Sequence, residues 1–221
     1  MEDFEFCCYT FNMSDPNNSM FILQIITIVA NFIIAFIAVF GERIKTFFYK
    51  PKLTISITSL FPDCNLTTDA YGKRAFIFRL AVMNQGSVDA NNVQVFLNSV
   101  KKKGLDGTYT TCNHILPMNL MWSYQDNEPV KSSIAQIISP NMKKYCDFIY
   151  TLENSSNCVM CTEVSLFAYG IPSNFINKGT YIANIIVLAS NSKAKSFNIQ
   201  FDYKGYWSSD AKEIIEIQSL D

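Results

Sequence analysis

A run of uncharged, mostly apolar residues near the N-terminus constrains this chain more than any other feature. Residues 20–40 read MFILQIITIVANFIIAFIAVF and contain no Asp, Glu, Lys or Arg. As an α-helix, this run would rise about 1.5 Å per residue and cover about 31 Å, close to the hydrocarbon thickness of a bilayer. A cleaved signal peptide begins with basic residues, but residues 1–19 contain none. The sequence therefore predicts one transmembrane helix over residues 20–40.

The charges on the two sides of the span predict its direction. Residues 1–19 carry four acids and no cation. Residues 41–52 form a juxtamembrane segment whose cations and aromatic rings are expected to anchor it among the lipid headgroups: Arg43, Lys45, Phe47, Phe48, Tyr49, Lys50 and Lys52. Because basic flanks resist translocation, residues 1–19 are expected outside the inner (plasma) membrane and residues 53–221 in the cytoplasm.

The polar residues of the span share one helix face. Gln24, Thr27 and Asn31 follow one another at intervals of three and four, and Ala35 and Ala38 continue the same face. Asn31 lies near the middle of the span, where an unpaired amide in lipid is costly. Helices associate in lipid through polar groups and small residues, so this face predicts a homo-oligomer. The alternative is that the bilayer simply tolerates single polar residues at these positions.

Alternation of apolar and polar residues predicts a mainly β domain over residues 53–221. The pattern has a period of two, it recurs between turn-forming residues, and no long helical period interrupts it. It occurs in seven segments, at residues 53–57, 76–82, 93–97, 148–152, 164–168, 181–187 and 197–203. Residues 210–221 could form an eighth, edge strand or a tail. This predicts an antiparallel β-sandwich, or alternatively a small β-barrel, of about seven or eight strands.

Two segments resemble immunoglobulin-like bacterial domains of the CARDB type. Residues 84–97, NQGSVDANNVQVFL, are similar to a hairpin of such domains in which one strand ends at Asn-x-Gly and a Val-x-Val strand returns. Residues 179–187, GTYIANIIV, resemble their late Gly-Thr-Tyr strand. The resemblance implies a sandwich and no particular activity. The order of parts, a membrane helix before a cytosolic β domain, also resembles membrane effectors of bacterial antiphage systems that respond to cyclic oligonucleotides.

Few residues could carry chemistry. His114 is the single histidine, and the chain has no G-x-S-x-G, Walker or G-x-G-x-x-G motif. We therefore expect neither an enzyme nor a cofactor. Zinc is the remaining possibility that the spacing raises, since Cys158 and Cys161 have C-x-x-C spacing and Cys112 with His114 could supply two more ligands. Free cysteines are also common as small buried apolar residues, and we expect no metal.

Large aromatic residues in predicted loops form the candidate ligand or partner surface. These residues are Trp122, Tyr124, Tyr145, Tyr206 and Trp207. They could stack on a ligand or grip a peptide, or they could instead close the ends of the sandwich. Residues 101–103 are three lysines whose simplest interpretation is a solvated hairpin end, and which could alternatively attract a small anionic ligand or a lipid headgroup. A net charge of −1 argues against a nucleic acid polymer as partner.

These features predict a non-enzymatic binding protein of the inner membrane. Its cytosolic β domain would bind a protein partner or ligand, and its helix would anchor the chain in the lipid bilayer and self-associate. One alternative is an antiviral effector in which ligand binding rearranges clustered helices and disrupts the membrane. A second alternative is an exported adhesion domain, which requires the opposite topology.

Overall fold

A computed structural model describes residues 16–68, 72–123, 134–163 and 174–220 of the chain, with the backbone alone at residues 16–19, 42–48 and 134–136. The chain divides into two compact units, one ending at Phe48 and the other beginning at Tyr49. The first unit contains a long helix, and the second is mainly β.

The helix α1 spans Pro16–Phe48 and has 33 residues. Its segment Met20–Gly41 is long and apolar enough to cross a membrane, and none of it is buried within the protein. This confirms an apolar N-terminal helix at the predicted residues. The helix continues beyond the predicted span and ends three residues before Pro51, whose ring and missing N–H prevent a helix from continuing.

The described part of the second unit contains fourteen strands and one short helix. In chain order they are β1 (Leu53–Ser56), β2 (Cys64–Thr68), β3 (Arg74–Asn84), β4 (Ala90–Lys103), β5 (Tyr109–Thr111), β6 (Met118–Asn119), β7 (Met121–Trp122), β8 (Ile134–Ile138), β9 (Lys143–Leu152), β10 (Cys158–Met160), β11 (Phe175–Ile176), β12 (Gly179–Ala189), β13 (Ser192–Tyr203), α2 (Ala211–Ile214) and β14 (Ile215–Ser219).

The strands form two antiparallel sheets. Sheet A has the order β1-β3-β9-β10-β11, with β2 also on β3 and β7 also on β9. Sheet B has the order β14-β13-β12-β4-β5, with β6 and β8 also on β4. The predicted mainly β, sandwich-like fold is therefore confirmed. Six of the seven predicted strand segments lie on observed strands, and residues 164–168 lie outside the described residues.

The core lies between the sheets and follows from the alternation. Along β3, Phe78 and Leu80 are fully buried, and along β13 so is Phe201. Phe148 of sheet A meets Phe201 of sheet B edge-on, with ring centroids 5.8 Å apart. Burying such aromatic and branched side chains on both inner faces supplies most of the free energy that holds the sheets together.

Strands of two to five residues and the C-terminal segment account for the difference from the predicted number of strands; these strands are β2, β5, β6, β7, β8, β10 and β11. Strands β6, β7 and β11 have two residues each, too few for alternation to be recognised. Residues 210–221 contain both a helical turn and an edge strand. The carboxylate of Asp210 caps α2 by accepting a hydrogen bond from the N–H of Lys212 at 2.9 Å, and β14 then pairs with β13.

One buried amide organises the end at which the chain enters the sandwich. The Oδ1 atom of Asn84 accepts hydrogen bonds from the N–H groups of Lys52 (3.1 Å) and Gly86 (2.9 Å). Its Nδ2 atom donates to the carbonyls of Val88 (2.7 Å) and Ile138 (2.9 Å). All four hydrogen-bonding positions of this fully buried amide are therefore filled.

Gly86 explains why glycine follows Asn84 at this spacing. A Cβ atom on Gly86 would lie 2.4 Å from the carbonyl oxygen of Lys50 and 2.5 Å from the nitrogen of Lys52. The turn connects β3 of sheet A to β4 of sheet B, so it is not the hairpin that the resemblance implied. Its backbone passes directly over the incoming chain, which only glycine allows.

Turns from both sheets surround this amide, and we call them the base of the sandwich. Hydrogen bonds join them to Asn84 and to one another, including Asn141 N–H to Asn84 O (2.7 Å) and Ser190 N–H to Asn91 O (2.9 Å). The base comprises residues 50–52, 84–91, 139–144 and 190–193.

We expect Asn84→Ala to lower the free energy of unfolding by about 2–5 kcal/mol, because it leaves buried hydrogen-bond donors and acceptors without partners. Urea unfolding of the full chain in detergent, followed by tryptophan fluorescence, measures the loss. The matched control is Asn98→Ala, which removes an exposed amide that donates to Asn184 at 3.0 Å, and should cost less than about 1 kcal/mol. Equal losses in the two variants would show that the Asn84 amide has no special role.

Candidate partner-binding surface

The structure separates the five aromatic residues that were predicted to form a binding surface. Trp122 is only 4 % exposed and belongs to the core, so its assignment to a surface is wrong. The reason is that β7 pairs with β9 and places Trp122 opposite Cys146, which is itself buried. Tyr124 lies outside the described residues, and Tyr145 is half-buried on β9.

The remaining two aromatic residues lie after β13. Tyr206 is 52 % exposed. Trp207 is half-buried and packs on Phe76 of sheet A, with ring centroids 5.2 Å apart. Trp207 therefore covers the gap between the sheets, as the alternative interpretation expected. Of the four candidates that the structure describes, only Tyr206 offers a large free ring surface.

The described cysteines and His114 do not converge. Cys158 faces the core and donates to the carbonyl of Ile176 at 3.7 Å, whereas Cys161 follows just after the strand and is half-buried. Three residues of extended chain turn the two side chains to opposite faces, unlike the tight turn of a zinc knuckle. His114 is exposed, with its Nε2 atom 3.3 Å from the carbonyl of Phe175. Among the described residues no three His, Cys, Asp or Glu side chains are grouped to hold a metal.

Burial also keeps the core thiols unreactive. Loss of solvent raises the pKa of Cys64 to about 12, although the nearby Arg79 guanidinium opposes that shift. Burial likewise raises the pKa of Cys146 and Cys158 well above the ordinary thiol value. At neutral pH these side chains are protonated thiols, which are poor nucleophiles and poor metal ligands.

The sandwich has a groove at the side where the free edges of its two sheets meet. It encloses about 420 Å³. Residues 57–60, after β1, form one wall, and the other wall comes from α2 and β14, with Ile215 and Ile217 at its centre. The hydroxyl of Ser59 donates to the carbonyl of Ile215 at 3.3 Å and joins the walls at one point.

The backbone of β14 faces this groove. Lys204 N–H bonds to Ile214 O (3.0 Å), and Leu220 N–H bonds to Asn198 O (2.9 Å). Even-numbered residues of β14 therefore direct their N–H and C=O groups to β13, and the odd-numbered Ile217 and Ser219 direct theirs away from it. Among the described strands, β14 pairs with β13 only. This open edge can accept another extended segment.

Exposed apolar side chains lie in one wall of the groove and directly after it in the chain. Leu60, which lines the groove, is 57 % exposed, and the following residue, Phe61, is 79 % exposed. The flanking side chains Lys212 and Glu216 are exposed and of opposite charge. Sequence reasoning missed this site, and its only local signal was the apolar pair Leu60-Phe61 inside a turn. The groove can hold an extended peptide with an apolar side chain in its centre.

A buried ion pair on the outer face of sheet A was also missed. The Nε atom of Arg79 lies 3.3 Å from Oδ1 of Asp147, and the side chain of Arg79 is 6 % exposed. The hydroxyl of Ser123 donates to the same carboxylate. The ion pair and the Ser123 bond both lie within the fold, so we assign these groups a structural role.

The residues of the predicted helix face differ in their bonding. The hydroxyl of Thr27 donates to the carbonyl of Leu23 at 2.8 Å, within its own helix. No hydrogen bond joins the side chain of Gln24 or Asn31 to any described residue, and Ala35 and Ala38 are exposed beside them. Of the predicted headgroup anchors, Tyr49, Lys50 and Lys52 are exposed, whereas the side chains of Arg43, Lys45, Phe47 and Phe48 lie outside the described atoms.

Comparisons with known proteins do not indicate a function for this chain. No protein-family model matches any part of the sequence. A search of curated proteins likewise finds no match.

Proposed function

We propose that the chain is a membrane-anchored, non-enzymatic binding protein. Its apolar helix holds it in the inner membrane and associates with copies of itself, and its cytosolic sandwich binds a protein partner at the groove beside β14. The observation that carries this proposal is the open edge of β14 along a groove whose other wall contains the exposed Leu60, which the exposed Phe61 follows in the chain.

Strand addition is the binding mode that this edge favours. The outward N–H and C=O groups of Ile217 and Ser219 would form backbone hydrogen bonds with an added segment, as in other complexes built on a free sheet edge. Apolar contacts with Leu60 and Phe61 would supply the hydrophobic part of the binding free energy. An exposed apolar edge is also prone to nonspecific aggregation, so a partner that covers it stabilises the protein.

A photo-reactive amino acid at position 61 should cross-link a discrete partner in cells. The matched control is position 105, since Leu105 is a fully exposed apolar residue on the hairpin between β4 and β5. Ser219→Pro should abolish the cross-link, because it removes an outward N–H but no bond to β13, whereas Ser219→Ala should retain it. The same products from positions 61 and 105, or a cross-link that survives Ser219→Pro, would contradict strand addition at this edge.

Self-association of the helix is supported by the unpaired amides of Gln24 and Asn31. An amide without an intrahelical partner gains more from a neighbouring helix than a hydroxyl that already bonds to its own backbone. The hydroxyl of Thr27 is of the second kind. Gln24 and Asn31 should therefore contribute most of the association on this face.

Replacing both amides, as Gln24→Leu with Asn31→Leu, should remove the oligomer that chemical cross-linking detects in membranes. Each paired amide contributes about 1 kcal/mol, so the two changes together should weaken association about tenfold or more. Thr27→Val changes a polar residue of the same face and should leave the oligomer unchanged. An unaltered pattern in the double variant would mean that the polar face is incidental.

The orientation is supported by the basic flank after the span and the acidic flank before it. A reporter enzyme that is active only in the cytoplasm should be active when fused after residue 221. A reporter active only outside should be inactive at the same position. The reverse result would favour the exported adhesion domain. The antiviral effector alternative shares this topology but adds a loss of membrane potential when the sandwich binds its ligand.

A further inference from the structure

The base of the sandwich concentrates positive charge. Its four stretches, which the structure describes in full, contain a single carboxylate, that of Asp89, and five lysines, all exposed: Lys50, Lys52, Lys143, Lys144 and Lys193. Three of these lysines, Lys143, Lys144 and Lys193, lie about 90 to 140 residues after the juxtamembrane segment and reach the base only through the fold. The sequence pattern alone did not associate them with the membrane.

Most of these lysines form no ion pair with any residue that the structure describes. The four ion pairs found among the described residues involve Arg74, Arg79 and Lys204, and none involves Lys52, Lys143, Lys144 or Lys193. Their ammonium groups are therefore available to an external anion.

Exposed apolar side chains lie in the same turns. Met142 is 60 % exposed, although its backbone N–H and C=O are bonded within the base, and Ile137 just before the base is 46 % exposed. Cations beside exposed apolar side chains suit the boundary between lipid headgroups and acyl chains. The cations contact the headgroups there, and the apolar side chains contact the acyl chains. A free soluble anion would leave Met142 and Ile137 in water.

We propose that the base is a docking surface for the anionic lipid headgroups of the bilayer in which the helix is anchored. This inference rests on the membrane anchoring proposed above. Lys52 follows Gly41 by 11 residues, of which residues 42–48 belong to α1, so this stretch reaches about 25 Å at most. Because the anchored helix would keep the base close to the bilayer, contact with headgroups needs little intrinsic affinity. The cytoplasmic leaflet supplies the negative charge.

Docking would protect the turns of the base from solvent, and this can be measured on the full chain. The protein is placed in nanodiscs of phosphatidylcholine alone and in discs that also contain phosphatidylglycerol, and hydrogen–deuterium exchange is followed by mass spectrometry. Exchange at residues 84–91, 139–144 and 190–193 should slow severalfold in the anionic discs. High salt should remove the difference, because it screens attraction between exposed charges.

Charge-matched variants identify the surface. Lys143→Gln, Lys144→Gln and Lys193→Gln together should abolish the difference between the two disc types. The control combines Lys101→Gln, Lys103→Gln and Lys178→Gln, which remove the same charge from exposed lysines at the other end of the sandwich. Strand β4 separates the two ends by about 40 Å, so this control should retain the difference. Unchanged exchange in neutral discs shows that both variants are folded.

Two results would overturn docking at the base. One is equal exchange in the two disc types with the chain inserted in both. The other is an equal loss of protection in the control variant, which would indicate attraction by net charge alone. If the chain does not insert, the anchoring proposal fails instead. Flotation with vesicles of the same two compositions then tests the base directly, and absence of preference for the anionic vesicles overturns the inference.

Discussion

The side-chain amide of Asn84 holds together parts of the molecule that are distant in the sequence. It belongs to β3 of sheet A, yet it bonds to Ile138 of β8 in sheet B and to Lys52, where the chain enters the domain. Hydrophobic burial holds the sheets face to face but does not specify their alignment. A buried amide specifies this alignment when its hydrogen bonds form in only one arrangement, because any shift in the position of β3 leaves donors and acceptors without partners.

The parts of the fold that could be predicted are those that leave a pattern in the local sequence. Long strands such as β3 and β13 have one buried face, and alternation marks such strands in the sequence. The Asn-x-Gly motif at residues 84–86 marked a turn, but this turn connects β3 of sheet A to β4 of sheet B and is not the hairpin that the resemblance implied. The structure shows why both residue types are needed there. Short strands such as β6 and β7 exist only because longer neighbours offer hydrogen bonds, so no local pattern could predict them.

The candidate site was less predictable because it depends on tertiary neighbours. Trp122 looked like a loop residue, but a two-residue pairing with β9 turns its ring into the core. The groove joins residues 57–60 to β14, and the bond from Ser59 to Ile215 links positions 156 residues apart. Neither segment has a distinctive composition. What makes the site is that sheet B ends at β14, and pairing order is a property of the whole fold.

The two proposed surfaces occupy different parts of the sandwich, and this separation has a physical consequence. The base surrounds Asn84, whereas the groove lies along β14 at the side edge. A partner added to β14 would extend sheet B sideways and leave the lysines of the base uncovered. The carbonyls of Ile138 and Met142 both accept bonds in the network of Asn84, which positions the exposed Met142 and the neighbouring Lys143. Asn84, which aligns the sheets, thus also helps to position side chains of the proposed docking surface, so the proposed membrane docking and partner binding would not compete for the same residues.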